Sequence, residues 1–471
     1  MEENRYDAVI IGAGPAGIFT ALELTSEKKD AKILIVDEGR SLASRTCPAR
    51  KTGVCVHCDP CGIVSGWAGA GAFSDGKLSL SDEVGGHINE YVGHDRAMEL
   101  IHRADEYYLH FGATTEVFGL DDSKVEEIAY EASKYNIRLV PCPVRHLGTE
   151  RAMNVLQGMH DYLVNQTNTT FLELTKAEEI LKEDNKVTGV RIHTRGKDAR
   201  VVLTDHVVVA PGRGGAEWLC QEVQRLGVET TNNEVDIGVR VEVPNAIMDP
   251  LTKYLYEAKL VYYADTYENK VRTFCMNPGG VVSEEHYEGG LAVVNGHSYG
   301  DKKLWTNNTN FALLVSTKFT APFKDPILYG QYIARLANML TGGPIMVQRL
   351  GDLLKGRRTT ESRLAKSTTI PTLKTAVPGD LSFVLPHRQL TSIVEALKAF
   401  DHIAPGLYSK NTLLYGVEVK FYSSKVKVNN EFMTDIQGLY AIGDGAGVTR
   451  GLMQASATGI SVAESIAKSL K

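Results

Sequence analysis

Four cysteines crowd into fifteen residues: Cys47, Cys55, Cys58 and Cys61, spaced C-x7-C-x2-C-x2-C, with Pro48 directly after the first. A C-x2-C-x2-C run with a separate Cys-Pro is the ligand vocabulary of a four-iron cluster, although ferredoxins place the Cys-Pro downstream and here it lies upstream. Four thiolates could equally hold a structural zinc in tetrahedral S4 geometry. A third chemistry is a thiol–disulfide redox pair, and the bland alternative is a set of reduced thiols packing a loop. Arg45, Arg50, Lys51 and His57 sit among the cysteines and favour the thiolate form in each case.

A second group of candidates lies in glycine-rich or turn-like surroundings, where contact with a ligand is more plausible than burial in a core. Asp75 and Lys77 fall in the stretch Gly66 to Leu80, which is too rich in glycine for a helix interior and suited to close backbone approach to a ligand. His146, Cys275, His297 and Arg450 have comparable settings. Each could supply a proton donor, a proton acceptor or a charge beside a reacting group, and each has a structural alternative as a hydrogen-bonded residue that fixes a loop. Lys355-Gly-Arg-Arg358 is a short basic cluster able to meet an anionic substrate or a redox partner, against the default of a solvated surface.

The elements that must position these residues begin at the N-terminal end. Tyr6 to Ile11 has the pattern of a buried strand, Gly12-Ala-Gly14-Pro-Ala16-Gly17 is a glycine turn, and Ile18 to Leu24 reads as a helix. A second strand, Lys32 to Val36, ends at Asp37, twenty residues after Gly17. Strand, turn, helix, strand and acid at these distances form a βαβ dinucleotide site rather than a glycine-rich turn of an unrelated α/β domain. Gly12 permits the tight turn, Gly14 lets the backbone approach a pyrophosphate, and Gly17 lets the helix pack closely on the strand. The helix N-terminus then offers unpaired N–H groups to the phosphates, and Asp37 accepts from ribose hydroxyls.

Further along, His94 to Phe111, Asp122 to Lys134 and Glu150 to Asn165 carry apolar residues at helical spacing. Phe171 to Leu181, Lys186 to His193 and Arg200 to Leu203 alternate like a β-meander, and Val207 to Gly212 is a buried strand running into a glycine turn. From about Val223 to Tyr408 the chain changes character, with strands expected at 236–243, 259–263, 271–276 and 291–295 and a helix at 327–340. No G-x-G-x-x-G follows a strand there, so a dedicated second nucleotide domain is not expected. The last sixty residues return to glycine-rich sequence, Gly438 to Gly443 with Asp444, and then a helix beyond Gly451.

Composition excludes several classes. The chain has 471 residues, 51 Lys plus Arg against 57 Asp plus Glu, and a formal charge of −6, with no positive excess for nucleic acid or an anionic membrane. No apolar run spans a bilayer, and the first apolar stretch is too short for a secretory signal, so a cytoplasmic location and no transmembrane segment are expected. Seven cysteines in this length do not make a disulfide framework.

Three separated pieces, Gly12-x-Gly14-x-x-Gly17 with Asp37, Val207 to Gly212, and Gly438 to Asp444, resemble the two-dinucleotide-binding flavoproteins of the glutathione reductase and fumarate reductase superfamily. More closely, Cys47-Pro, the Cys55/Cys58/Cys61 run, Gly69-Ala-Gly-Ala-Phe-Ser-Asp-Gly-Lys77, His146 to Thr149, Thr273 to Gly280 and Asn295-Gly-His-Ser298 resemble the family known as uncharacterised FAD-dependent dehydrogenases. That family is distantly similar to the bile-acid-inducible oxidoreductase and geranylgeranyl reductase flavoproteins. The resemblance implies FAD, held by Gly12, Gly14, Ala16, Gly17, Asp37 or the adjacent Glu38, Gly212 and Gly443. It further implies that Asp444 holds the ribityl chain and that the backbone from Gly451 through Leu452 to Met453 faces the flavin pyrimidine end, where a helix dipole favours an anionic reduced ring.

The fold expected is α/β: a Rossmann-like FAD-binding domain of glutathione reductase type with an inserted α+β substrate or cap domain. The segments run 1–90, 146–222 and 411–471 for the FAD domain, 91–145 for a helical segment and 223–410 for the insertion. The expected activity is FAD-dependent oxidation or reduction of a small organic substrate by hydride transfer through flavin N5, with Asp75, Lys77, Cys275 and His297 as candidate catalytic groups. The alternative is a flavin-dependent alkene reductase of lipid or isoprenoid type, linked to a ferredoxin through an iron–sulfur cluster on Cys47, Cys55, Cys58 and Cys61. NAD(P)H enters only as a transient reductant.

Overall fold

A computed structural model describes residues 4–48, 56, 58–287, 290–299, 302–317, 319, 323 and 325–470. The chain divides into two compact units: residues 1–116, 145–233 and 422–471 form the first, and residues 117–144 with 234–421 form the second.

The first unit is built on a five-stranded parallel sheet. Its strands lie in the order Leu439–Ala441, Val207–Val209, Ala8–Ile11, Ile33–Val36 and Thr169–Leu172. The strands Ala8–Ile11, Ile33–Val36 and Val207–Val209 are buried on both faces, as continuous Val/Ile runs in parallel sheets require. The meander follows as Thr175–Glu183, Lys186–Thr194 and Arg200–Leu203. Phe171, expected in the meander, instead belongs to the edge strand of the parallel sheet, because Thr169–Leu172 pairs with Ile33–Val36.

Two helices cover the glycine turn. Pro15–Glu27 starts with Pro at its first position, where no N–H is needed. The C-terminal helix Leu452–Ser469 packs along it so closely that a Cβ on Gly459 would lie 2.3 Å from the Ala16 carbonyl oxygen.

The second unit contains an eight-stranded sheet whose central strand, Val235–Pro244, pairs antiparallel with Asn308–Thr317 on one side and Leu413–Lys420 on the other. Val235, Ile237, Val239, Val241 and Val243 join an apolar core with residues of the helices Asn245–Leu255 and His387–Phe400. The alternate positions are Asp236, Gly238, Arg240 and Glu242, so the opposite face of the same strand is polar, yet all four are buried. A hairpin, Val281–Tyr287 with Leu291–His297, lies over that face: a Cβ on Gly296 would meet Arg240 Nη1 at 2.2 Å.

The unit boundaries differ from the sequence segmentation where strand pairing overrides local pattern. Within 91–145, the helix His94–His110 lies in the first unit, whereas Asp122–Ser133 and Ile137–Val140 lie in the second, because Ile137–Val140 pairs with Lys259–Tyr263. Residues 413–420, grouped with the C-terminal segment by sequence, form a strand at the heart of the second unit. Thr230–Thr231 moves the other way, pairing with Lys425–Val426 in the first unit. No helix among the described residues is long and apolar enough to cross a membrane.

Candidate functional site

The glycine turn is shaped by what surrounds each position. Gly12 has φ +104°, and a Cβ there would lie 2.1 Å from the Ala210 carbonyl oxygen, so only glycine fits between the two parallel strands. A Cβ on Gly17 would lie 2.1 Å from the Gly12 carbonyl oxygen, which locks helix against turn. Gly14, the N-cap of the helix, differs: nothing lies within 4 Å of where its Cβ would be. The backbone there is free of steric need from the fold, and it faces open space directly before a helix N-terminus.

Gly212, after the strand Val207–Val209, has the same open surroundings, and the Gly212 carbonyl oxygen packs 2.4 Å from where a Gly445 Cβ would stand. Gly443 sits 3.2 Å, measured the same way, from the Ala16 Cβ, which places Asp444 beside the first helix. One Asp444 oxygen accepts from the Thr449 hydroxyl at 2.7 Å, and the other stands 3.8 Å from Arg213 Nε. Gly451 caps the last helix, Leu452 opens it and Met453 is buried beneath. Gly451 also lies against Gly85.

Asp37 is engaged by the protein itself. Its carboxylate accepts backbone N–H groups of Ala13 at 2.9 Å, Gly39 at 2.8 Å and Gly66 at 2.7 Å. Burial raises its pKa above the usual carboxylate range, and the three donated hydrogen bonds oppose that rise. Asp37 thereby ties the glycine turn to the start of the second glycine-rich stretch, where Ala68 N–H also donates to the Ala13 carbonyl at 2.7 Å. The neighbouring Glu38 accepts from the Ser65 hydroxyl at 2.7 Å and is partly open to solvent.

That second stretch forms the short 3-10 turn Gly69–Phe73 and the strand Lys77–Ser79. Asp75 and Lys77 form an ion pair at 3.2 Å with both side chains largely buried. A small apolar cavity opens among Pro15, Gly71, Gly76, Leu78, Leu147 and Leu452, between the starts of the first and last helices. His146, named by sequence, is half-buried directly before Leu147.

Three residues that sequence patterns did not single out shape this region. Gln454 is fully buried; its amide donates to the carbonyls of Asp82 at 2.8 Å and Val84 at 3.0 Å, and its oxygen accepts from Ile88 N–H at 3.1 Å, pinning the Gly85–Gly86 loop to the last helix. His87 pairs with Glu90 at 3.0 Å, and burial followed by the nearby Arg450 charge lowers its pKa. Trp67, fully buried, donates to the Leu156 carbonyl at 2.9 Å and anchors the second stretch. Arg450 itself lies 3.6 Å over the Tyr422 ring, and its buried Nε has no hydrogen-bond partner among the described residues.

Of the cysteines, Cys47, Cys58 and Cys61 are free thiols, and Cys55 lies outside the described residues. Cys58 and Cys61 line a cavity of about 230 Å³ together with Arg40, Arg45 and Arg195. Arg45 holds the adjoining segment by donating to the carbonyls of Gly62 at 3.1 Å, Ile63 at 2.6 Å and Trp67. Burial pulls its pKa down to about 10, against Asp37 and Cys61, which raise it. Among the described residues, no three His, Cys, Asp or Glu side chains converge as metal ligands.

Cys275 and His297 belong to the second unit and to strands that meet at Arg240. Cys275 has φ +45° at an irregularity in the strand Lys270–Asn277, and its carbonyl accepts from Arg240 Nη1 at 3.1 Å. His297 pairs with Val281 across the hairpin, and its ring makes an edge contact with Tyr299 at 5.2 Å. Beneath them, Arg240 and Glu418, both fully buried, form a bidentate pair at 2.8 and 2.9 Å. Burial alone would raise the Glu418 pKa, yet Arg240 and Lys420 hold it below its ordinary value. Asn310 accepts from Arg240 Nη1 at 2.8 Å, while its own Nδ2 is buried without a hydrogen-bond partner among the described residues.

Residues 234–421, the long segment of the second unit, match the family described as FAD-dependent protein, C-terminal domain-like. Over that segment the chain carries a domain of the kind found in FAD-dependent proteins. A relative from Clostridium beijerinckii, described as an uncharacterized protein, is 27% identical over 99% of this chain and 81% of its own length. Among solved structures, formate oxidase aligns with a TM-score of 0.45 and 12% identity over 99% of this chain and 98% of its own. L-proline dehydrogenase from P. horikoshii aligns at 0.43 and 12% over 99% and 95%. These are loose likenesses, and no activity follows from them.

Proposed function

We propose that the protein is an FAD-dependent dehydrogenase or reductase of a small organic substrate, with the cofactor held in the first unit by Gly12, Gly14, Ala16, Gly17, Gly212, Gly443, Asp444 and the Gly451–Met453 backbone. The observation that carries this reading is the pair of openings at Gly14 and Gly212. Gly14 fronts the first helix, and Gly212 lies at the end of a strand hydrogen-bonded to the strand that feeds that turn. The buried Arg450 Nε, beside Gly451 and the last helix and without a hydrogen-bond partner among the described residues, is the kind of donor a ligand oxygen would satisfy.

When bound, FAD supplies hydride exchange at N5 with the substrate. The chain's own groups bind and orient it. The N-terminus of Pro15–Glu27 offers N–H groups to a pyrophosphate, and the start of Leu452–Ser469 presents a positive dipole end to developing negative charge. Asp444, fixed by Thr449, keeps a carboxylate oxygen for hydroxyl groups of the cofactor. Asp37 has committed three acceptor positions to backbone N–H groups and keeps at most one for a ribose hydroxyl. In this reading Asp37 mainly organises the cradle, and Glu38 is free to share the contact. Asp75 and Lys77 fix the glycine stretch beside the apolar cavity and are the nearest candidates in that unit for holding a proton.

The test is anaerobic purification followed by an ultraviolet–visible spectrum, with iron and sulfide analysis of the same sample. Flavin bands near unit stoichiometry are expected, together with bleaching on reduction; a chain that neither retains nor rebinds FAD would overturn the reading. About four irons per chain would assign Cys47, Cys55, Cys58 and Cys61 to a cluster. Flavin without iron would leave Cys58 and Cys61 as thiols of the arginine-lined cavity.

A further inference from the structure

An oxidoreductase of this kind needs a second redox partner, and the second unit does not offer the usual one. Its sheet is almost wholly antiparallel, and the only parallel pair among the described residues is the short contact of Met346–Arg349 with Val377–Pro378. That is not the βαβ frame of a nucleotide site.

The same unit carries a concentrated positive surface. Residues 349–374 contain seven Lys or Arg and two Asp or Glu, in a chain whose formal charge is −6. One acid, Asp352, is buried under a ring of arginines: Arg357 at 2.9 Å, Arg349 at 3.9 Å and Arg363 at 4.0 Å. With the exposed Glu361 counted as well, the segment's seven cations still outnumber its two acids. Lys355, Arg358 and Lys366 point outward as exposed side chains, with no acidic partner among the described residues.

The surface is rigid from below. Thr359, fully buried, donates to Asp352 at 3.0 Å and accepts from Arg349 N–H at 2.9 Å; Gln348, also fully buried, donates to the Arg357 carbonyl at 2.9 Å. Leu364 and Leu373 pack into one small core with Ile345, Val347 and Tyr415, which brings the two ends of the segment together. Two aliphatic side chains, Leu354 and Ile370, are exposed beside the cations, at 45% and 67%.

We propose that this face docks the acidic surface of a protein electron carrier. The inference rests on the flavin oxidoreductase reading given above. Cations around a few exposed aliphatics steer an acidic partner and let it dissociate quickly, as electron carriers must. A nucleic acid fits less well: residues 349–374 contain no aromatic ring on which bases could stack, and the remainder of the chain carries a net negative charge. A membrane fits less well too, because the segment's helices, Leu350–Leu353 and Glu361–Leu364, are too short for an amphipathic anchor. Two reduced carriers, docking in turn, give the two electrons, and solvent gives the two protons, that convert FAD to FADH2.

The experiment compares the wild-type holoenzyme with Lys355→Glu/Arg358→Glu/Lys366→Glu in stopped-flow reduction by a reduced acidic ferredoxin and, separately, a reduced flavodoxin. With at least one carrier, wild-type reduction should be fast at low salt and slow as salt rises. The variant should be slower by about tenfold or more and nearly insensitive to salt. Its FAD content, melting temperature and rate of reduction by dithionite should equal those of wild type. Equal rates in wild type and variant, no reduction by either carrier, or binding to heparin or anionic vesicles without any carrier effect would overturn the proposal. A wild-type protein that carries no reducible FAD would instead sink the underlying reading.

Discussion

The glycine-lined cradle of the first unit and the polar layer of the second solve opposite problems. The cradle is organised by the absence of side chains: Gly12 and Gly17 are required by contacts of 2.1 Å, whereas Gly14 and Gly212 leave space. The polar layer is organised by charged side chains far apart in sequence. Arg240 meets Glu418 across 178 positions, with Asn310 and Lys420 completing the set. In the reading proposed above, the first arrangement leaves room for a ligand. The second fills its own interior with ionic groups, and such groups persist only when each is paired.

Removing one member of the buried pair should therefore have the largest effect on the molecule. Arg240→Met or Glu418→Gln leaves an uncompensated buried group and is expected to cost about 3–5 kcal/mol. Replacing both with Met and Leu should cost much less. Denaturant unfolding of the three variants checks this, and a double variant as damaged as the singles would show that the pair itself, rather than its unpairing, stabilises the second unit.

The next largest effects separate two kinds of glycine within the cradle. Gly12→Ala forces a Cβ into a carbonyl oxygen at a φ of +104° and should destabilise the apoprotein by about 3 kcal/mol. A Cβ at Gly14 meets nothing within 4 Å, so the apoprotein of Gly14→Val should melt almost as wild type does while purifying without flavin. If Gly14→Val lowered apoprotein stability as much as Gly12→Ala, the opening would belong to the fold and not to a ligand. Asp444→Ala should act more mildly, raising the FAD dissociation constant about tenfold through the loss of about 1–1.5 kcal/mol of hydrogen bonding. Equilibrium titration of the apoprotein measures it.

These contrasts also explain what the amino-acid sequence could disclose. The strands, glycine turn and helix around Gly12–Gly17 were legible because each element follows from its neighbours; Pro15–Glu27 and Ile33–Val36 lie within a few residues of the expected bounds. The burial of Asp37 by three backbone donors was not legible, since Gly66 comes from another loop. Nor was Gln454, whose partners at Asp82 and Val84 lie some 370 positions away. In the second unit, local periodicity found Val235–Pro244 and Pro326–Thr341 but not the face on which Arg240 would be buried, because an arginine at an alternating position normally marks solvent. A charged residue between β-branched neighbours, with an acid at the matching position of a later strand such as Glu418, is the signal that was available.

The smallest effect expected is a pH dependence at the rim of the cradle. Burial and the Arg450 charge lower the pKa of His87 below its ordinary 6.5, so the folded chain resists protonation there more than the unfolded chain does. Below the unfolded value the unfolded state then binds more protons, and stability must fall as the pH drops below about 6.5. His87→Gln keeps a polar side chain and removes the titration, so the melting temperature of the variant should decline less over that interval, by a degree or two at most. His87 N–H donates to the Val448 carbonyl in the segment that leads to Arg450 and Gly451. FAD release on acidification should therefore follow the same interval in wild type and be blunted in the variant. A variant that tracks wild type in both measurements would place the acid sensitivity elsewhere; it would not fall on Asp37, whose raised pKa makes the folded chain bind its proton more readily than the unfolded chain does.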